Sequence, residues 1–100
     1  MFLVDLQPTR GSEIRKTRPC LVMSPDDLNS HLRTSIVAPM TTSGRRYPFR
    51  VPCRFGGRNG HVALDQIRAI DHERLIRRLG RLPQKTLEQS LMVLQEMFAK

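Results

Sequence analysis

The chain reads as mainly β, a small and strongly bent antiparallel sheet or barrel with a C-terminal α-helix. Three observations predict this. Five to seven short apolar or alternating runs lie between turn-rich segments. From Pro83 onward the apolar residues change to helical spacing. One hundred residues suffice for one domain, 1–100, around a single modest core.

Phe2 to Leu6 alternates weakly and reads as the first strand. Cys20 to Met23 is the second, mostly apolar or β-branched. Pro25 to Arg33 is polar and turn-rich, with one helical turn around Asp26 to Leu28. SIVAPM (35–40) is the third strand, with Pro39 near its end, where a missing N–H is tolerated. Thr41 to Arg46 reads as a small basic loop and Tyr47 to Arg54 as the fourth strand. FGGRNG (55–60) is a turn. HVAL and QIRAI follow as strands, and LGRL (79–82) is a candidate for one more. In the final segment Leu87, Leu91, Leu94 and Phe98 form a helical stripe flanked by Val93 and Met97. Thr86 and Gln89 have capping-box spacing, and Glu88 falls in the expected first turn, where the helix dipole favours a carboxylate. This apolar face reads as core.

The net charge of +8 points to a polyanion, nucleic acid above all, or to an acidic protein partner. Fourteen of the seventeen cations are arginine, which suits bidentate phosphate contact, although codon bias in a GC-rich genome yields the same ratio. No apolar run approaches the roughly 20 residues that span a bilayer. MFLVDLQP has no basic leader, so no signal peptide is expected and the cytoplasm is the expected location. Cys20 and Cys53 fit that compartment as small buried residues, and their spacing suggests neither metal nor redox chemistry; whether they pair stays open. His31, His61 and His72 are isolated, each reading as structural or solvated, and no metal motif, phosphate loop or nucleophile elbow is present. No metal or cofactor is expected.

Residues 8–19, PTRGSEIRKTRP, form a loop about twice as long as a plain connection needs. Arg10, Arg15, Lys16 and Arg18 surround one carboxylate, Glu13, directly after Gly11–Ser12. Two more polar segments follow strand ends: MTTSGRR (40–46) and LDQIR (64–68). Loops after neighbouring strands converge at one rim of a small barrel. A carboxylate, several arginines and a threonine pair gathered there suffice for metal-free cleavage of RNA by its own 2′-hydroxyl. That reaction needs a base for the hydroxyl, cationic donors for the phosphorane and an acid for the 5′-oxygen. On composition alone, an RNA-binding barrel without chemistry fits equally well.

Five motifs taken together resemble the MazF/PemK family of toxin endoribonucleases, and the MazF branch in particular. They are V-D-L-x-P-T-x-G-S-E, K-T-R-P-C-L-V-M-S-P, V-A-P-M-T-T, Y-P-F-R-V and L-D-Q-I-R-A-I-D, in the family's order and over nearly the whole chain. The resemblance implies an SH3-like small barrel of the CcdB/PemK type, working as a homodimer. It implies a toxin that cuts single-stranded RNA at short sequence motifs without metal, leaves 2′,3′-cyclic phosphate and 5′-hydroxyl ends, and inhibits translation and growth.

The same resemblance implies roles for individual residues. Arg18 matches the family's catalytic arginine and Thr41 its second catalytic position. Glu13 matches a position linked to activity, as loop organiser or proton acceptor. Gln66 falls in a segment near the site, with a base or backbone contact expected. RNA contacts are expected from Arg10, Ser12, Arg15, Lys16, Thr42, Arg45 and Arg46 alongside Gln66. Asp65 reads as a backbone holder. The implied partners are single-stranded RNA and a MazE-like antitoxin with an acidic, disordered tail. Promoter DNA is expected only through the antitoxin complex, and no membrane is expected. A CcdB-like protein that poisons gyrase shares the fold but has no use for the R-P and T-T motifs.

Two features depart from the family pattern. The usual G-[DE]-[IV]-W-like opening is missing, so the N-terminal strand reads as truncated and an unpaired sheet edge is expected there. Arg45 and Arg46 add charge after Thr42, which raises affinity and its salt dependence more than sequence choice.

Overall fold

A computed structural model describes residues 1–14, 16–42 and 47–99. Seven strands run β1 (Phe2–Asp5), β2 (Thr17–Val22), β3 (Thr34–Thr41), β4 (Arg50–Phe55), β5 (Arg58–Ala63), β6 (Arg68–Asp71) and β7 (Leu75–Arg78). Helix α1 (Asp26–His31) joins β2 to β3, and α2 (Gln84–Phe98) ends the chain. Short 3-10 turns at Leu64–Gln66 and His72–Arg74 precede β6 and β7. All pairings are antiparallel in the order β4-β5-β3-β2-β1-β7, with β6 also on β3.

β3 is the spine. It pairs with β2 through Val37–Pro39, with β6 through Thr34–Val37 and with β5 through Met40–Thr41. Successive stretches of one strand thus serve different partners, and the sheet curls into the expected barrel-like form. Pro39 lies where β3 passes from one partner set to the next, a place that spares the missing N–H. β4 and β5 join through Gly56–Gly57, both at positive φ (59° and 75°), the backbone that a two-residue hairpin turn requires.

The sheet divides the expected single core into two clusters. Leu21, Met23, Ala38, Met40, Val51, Val62 and Leu64 form one with Met1, and α2 lays Leu87, Val93, Leu94 and Met97 against it. Val4, Leu6, Cys20, Val37 and Ile70 form the other, joined by Ile14 from the long loop.

Several expectations are corrected. β1 is short, but it lies between β2 and β7, so the unpaired edge expected at the N-terminus is not there. β2 begins at Thr17 because β1 pairs back on it, so Arg18 belongs to a strand and not to the loop. Thr41 likewise ends β3 and does not begin a loop, and Gln66 lies in a 3-10 turn outside the strand expected over QIRAI. LIRR forms β7, whereas LGRL lies outside any regular element. Tyr47–Phe49 precede β4, and only Gly56–Gly57 of FGGRNG make the turn. The cap of α2 is Pro83 with no side-chain bond, so Thr86 and Gln89 form no capping box and Glu88 lies beyond the first turn. The packed face of α2 turns towards Ser90, Val93 and Met97; Leu91 and Phe98 are exposed. Ser90 is fully buried with its hydroxyl donating to the Thr86 carbonyl at 2.8 Å, so a small residue marks the closest approach to the sheet.

Candidate active site at the long loop and the β3–β5 ladder

The loop from Leu6 to Lys16 is closed at its neck, where the Leu6 N–H donates to the Lys16 carbonyl at 3.1 Å. At its tip the Arg10 N–H donates to a Glu13 carboxylate oxygen at 2.5 Å, and the Glu13 N–H returns to the Arg10 carbonyl at 3.1 Å. Gly11 between them sits at φ +56°, where a Cβ is strained. Glu13 therefore organises the loop around its own backbone. Ile14 tucks into the second cluster, and its N–H donates to the Gln66 side-chain carbonyl at 3.4 Å.

Asp65, next to Gln66, receives Arg50 in a two-pronged bond of 2.9 and 3.0 Å. That hydrogen bond holds the Asp65 carboxyl below its ordinary range, opposed by burial and assisted by the Gln66 side chain among lesser causes. Asp65 was expected to hold backbone; it holds the head of β4 through Arg50, whose guanidinium also lies 5.2 Å from the Tyr47 ring centroid. Two arginines outside the expected site clasp the loop's near end. Arg68 donates to the Leu6 carbonyl at 3.1 Å, and Arg74 donates to the carbonyls of Asp5 (3.2 Å) and Gln7. Arg68 stands two residues after Gln66 in the LDQIR segment; nothing in its spacing indicates the bond.

Strand register assembles the rest. Cys20 opposes Pro39, so Arg18 and Thr41 each lie two residues beyond that pair on neighbouring strands. Thr41 opposes His61, and His61 opposes Pro52. Val4 thus pairs with Arg18 across β1 and β2, and Thr41, His61 and Pro52 form one row across β3, β5 and β4, from buried Thr41 to exposed Pro52. Arg18 is half-buried, Thr41 is 3% exposed and Thr42 is exposed. Gly60 makes room for this row: a Cβ there would stand 2.5 Å from the Thr41 carbonyl oxygen. Cys20 lies beneath Arg18, its thiol donating to the Arg18 carbonyl at 3.6 Å. Burial pushes that thiol up to about 12 against the opposing pull of Arg68 and Arg18, so both guanidinium groups act on one buried atom.

Glu13 and Gln66 thus shape the loop, and Arg18 and Thr41 stand on the neighbouring strands β2 and β3. Arg10, Ser12 and Lys16 are exposed on the loop, and Thr42 is exposed at the far side. Arg15, Arg45 and Arg46 lie outside the described residues. Cys20 and Cys53 are both free thiols, one in each cluster. Among the described residues no group of His, Cys, Asp and Glu could hold a metal ion.

A family model described as "PemK-like, MazF-like toxin of type II toxin-antitoxin system" matches residues 1–98. The chain belongs to that family. It is 37% identical to the endoribonuclease toxin MazF of Escherichia coli K12 over 70 residues, 70% of this chain and 63% of that protein. The match thus spans less than two thirds of that relative's length. It is 38% identical to the endoribonuclease toxin ChpB of the same strain over 102 residues, covering 95% of this chain and 87% of that one. Among solved structures, MazF of Deinococcus radiodurans superposes with a TM-score of 0.84 at 26% identity, over 96% of this chain and 89% of that one. The same protein solved as a MazE–MazF complex gives 0.71 at 29% identity, over 80% of each chain. The mainly β fold with a C-terminal helix is the fold of this family. Among the described residues no helix is long and apolar enough to cross a membrane.

Proposed function

We propose that this chain is the toxin of a type II toxin–antitoxin pair and an endoribonuclease acting on single-stranded RNA in the cytoplasm. The 2′-hydroxyl of the RNA attacks the adjacent phosphorus, leaving 2′,3′-cyclic phosphate and 5′-hydroxyl ends. The observation that carries this reading is that the β2–β3 pairing at Cys20–Pro39 brings Arg18 and Thr41 to the same end of neighbouring strands, beside a loop tied down through Glu13 and Gln66.

Arg18 is assigned to the phosphorane, whose extra negative charge a fixed guanidinium stabilises more than it stabilises the starting phosphodiester. A guanidinium stays protonated throughout the working range, so its part is electrostatic. Thr41 holds the scissile phosphate from the floor of the groove. The Glu13 contact with the Arg10 N–H favours the organising role over proton transfer. Gln66 spends its carbonyl on Ile14, which favours positioning of the loop over reading of a base. Arg10, Ser12, Lys16 and Thr42 supply exposed contacts to RNA, extended by Arg15, Arg45 and Arg46. The working unit is a homodimer, and an acidic antitoxin segment covers the basic groove, as charge complementarity with a +8 chain favours.

Incubation of long single-stranded RNA with wild type and Arg18→Ala in excess EDTA tests the proposal. The expected outcome is cutting at one short motif, cyclic phosphate ends, and a loss on the order of a hundredfold in Arg18→Ala. Folded protein that binds RNA without cutting it is a binding barrel, and the enzyme reading then fails.

A further inference from the structure

Cleavage by a 2′-hydroxyl needs a group to accept its proton, and the residues assigned above supply a poor choice. Arg18 is a guanidinium, Thr41 a hydroxyl, and the Glu13 carboxylate is held on the loop backbone at Arg10. Imidazole is the one ordinary side chain that changes charge between pH 5 and 8. Of the three histidines, His31 is tied to its own helix at the Asp27 carbonyl, 2.7 Å away, and His72 to the Ser35 hydroxyl at 2.8 Å. His61 stands directly across the β3–β5 ladder from Thr41. Side chains so opposed start about 5 Å apart at Cβ and share a face, so the imidazole and the Thr41 hydroxyl address the same space.

Resting on the ribonuclease reading, we propose that His61 is the general base of the reaction. It takes the proton of the 2′-hydroxyl as the 2′-oxygen–phosphorus bond forms and the phosphorus–5′-oxygen bond breaks. The electron pair leaves with the 5′-oxygen, which is protonated by water, and the imidazolium returns its proton to solvent. Atoms and charge balance without metal or redox partner.

His61 is half-buried on the wall of a cleft of about 400 Å3 that Thr42, Pro52, Arg54 and Asn59 also line. Pro52 faces it from β4, with Arg50 and Arg54 two residues to either side on the same face. Arg50 is already paired with Asp65, the carboxylate on the adjoining 3-10 turn. Thr41 faces it from β3, Cys53 lies on the neighbouring strand, and Asn59 and Arg58 lie on its own. The cleft lies beside Thr42, the residue that follows Thr41, so an RNA chain that reaches Thr41 and enters the cleft passes the imidazole.

The experiment is a pH–rate profile of wild type, His61→Asn and His61→Gln on a short RNA holding the recognised motif. Binding of the same RNA with a 2′-deoxy nucleotide at the cut site is measured in parallel. In wild type kcat/KM rises about tenfold per pH unit and then levels, as a base requires. Both variants lose about a hundredfold or more at the plateau together with that limb, and bind the uncleavable RNA as wild type does. Added imidazole restores part of the activity of His61→Gly. A wild-type profile without the limb, variants that keep rate and limb, or variants that lose only affinity for the 2′-deoxy RNA each overturn the base assignment. In all three cases the ribonuclease reading stands. A wild type that never cuts removes that reading itself.

Discussion

Cys20 and Arg18 occupy one face of β2, two residues apart, with opposite solvent histories. Cys20 is fully buried, and burial lifts its thiol to about 12. Such a thiol is neither nucleophile nor redox sensor near neutral pH. Cys53 is half-buried, and burial raises its thiol too. Alkylation at pH 8 followed by peptide mapping is therefore expected to label Cys53 slowly and Cys20 only after unfolding. Labelling of Cys20 at the rate of Cys53 would show the second cluster to be open. The histidines divide in the same way, by position and not by type. His31 bonds within its own helix and His72 bonds Ser35 of β3, whereas β5 presents His61 to Thr41. Nothing around any of them in the sequence separates the three.

At the scale of elements, the β3–β5 ladder is the joint on which the candidate site depends. It is short, Met40–Val62 and Thr41–His61, and Gly60 makes it possible by leaving the space of a Cβ empty. Gly60→Ala drives that Cβ against a backbone oxygen at 2.5 Å, which cannot swing away as a side chain would. The expected cost is about 1–3 kcal/mol in chemical denaturation, the range of an overpacked core, with loss of RNA cleavage from displacement of Thr41. Unchanged stability would mean that the ladder yields freely. The long loop is the second such element. Its shape comes from Glu13 within, from Gln66 beside it and from Arg68 and Arg74 at its near end. The loop's length and lone carboxylate were legible in the sequence, and the G-S-E match pointed to Glu13. The arginine clasps were not, because their carbonyl partners belong to backbone that any sequence supplies.

Over the whole molecule, a net charge of +8 sets the terms of association with RNA. Phosphate contacts release counterions, about 0.7 per phosphate on a single strand, so about five contacts yield a log–log salt slope near −3.5. Titration of an uncleavable RNA at several salt concentrations checks this. Arg45→Ala with Arg46→Ala is expected to reduce the slope by about 1.4 while leaving the cut sequence unchanged, since phosphate contacts position and do not specify. A changed cut sequence would assign these two arginines to base reading.

The sequence alone determined the family, the order of the strands and the terminal helix, because periodicity, turn glycines and motif spacing are local properties of the chain. It also marked Arg18, Thr41 and Glu13. Tertiary structure alone decided that β1 is an interior strand, that Arg18 and Thr41 lie on neighbouring strands just past the Cys20–Pro39 pair, and that His61 stands across from Thr41. It alone brought Gln66 to Ile14 across 52 residues and Arg68 to Leu6 across 62. The physical reason is register. A strand's own residues fix which of its faces is apolar, but which residue stands opposite another depends on how every neighbouring strand has paired.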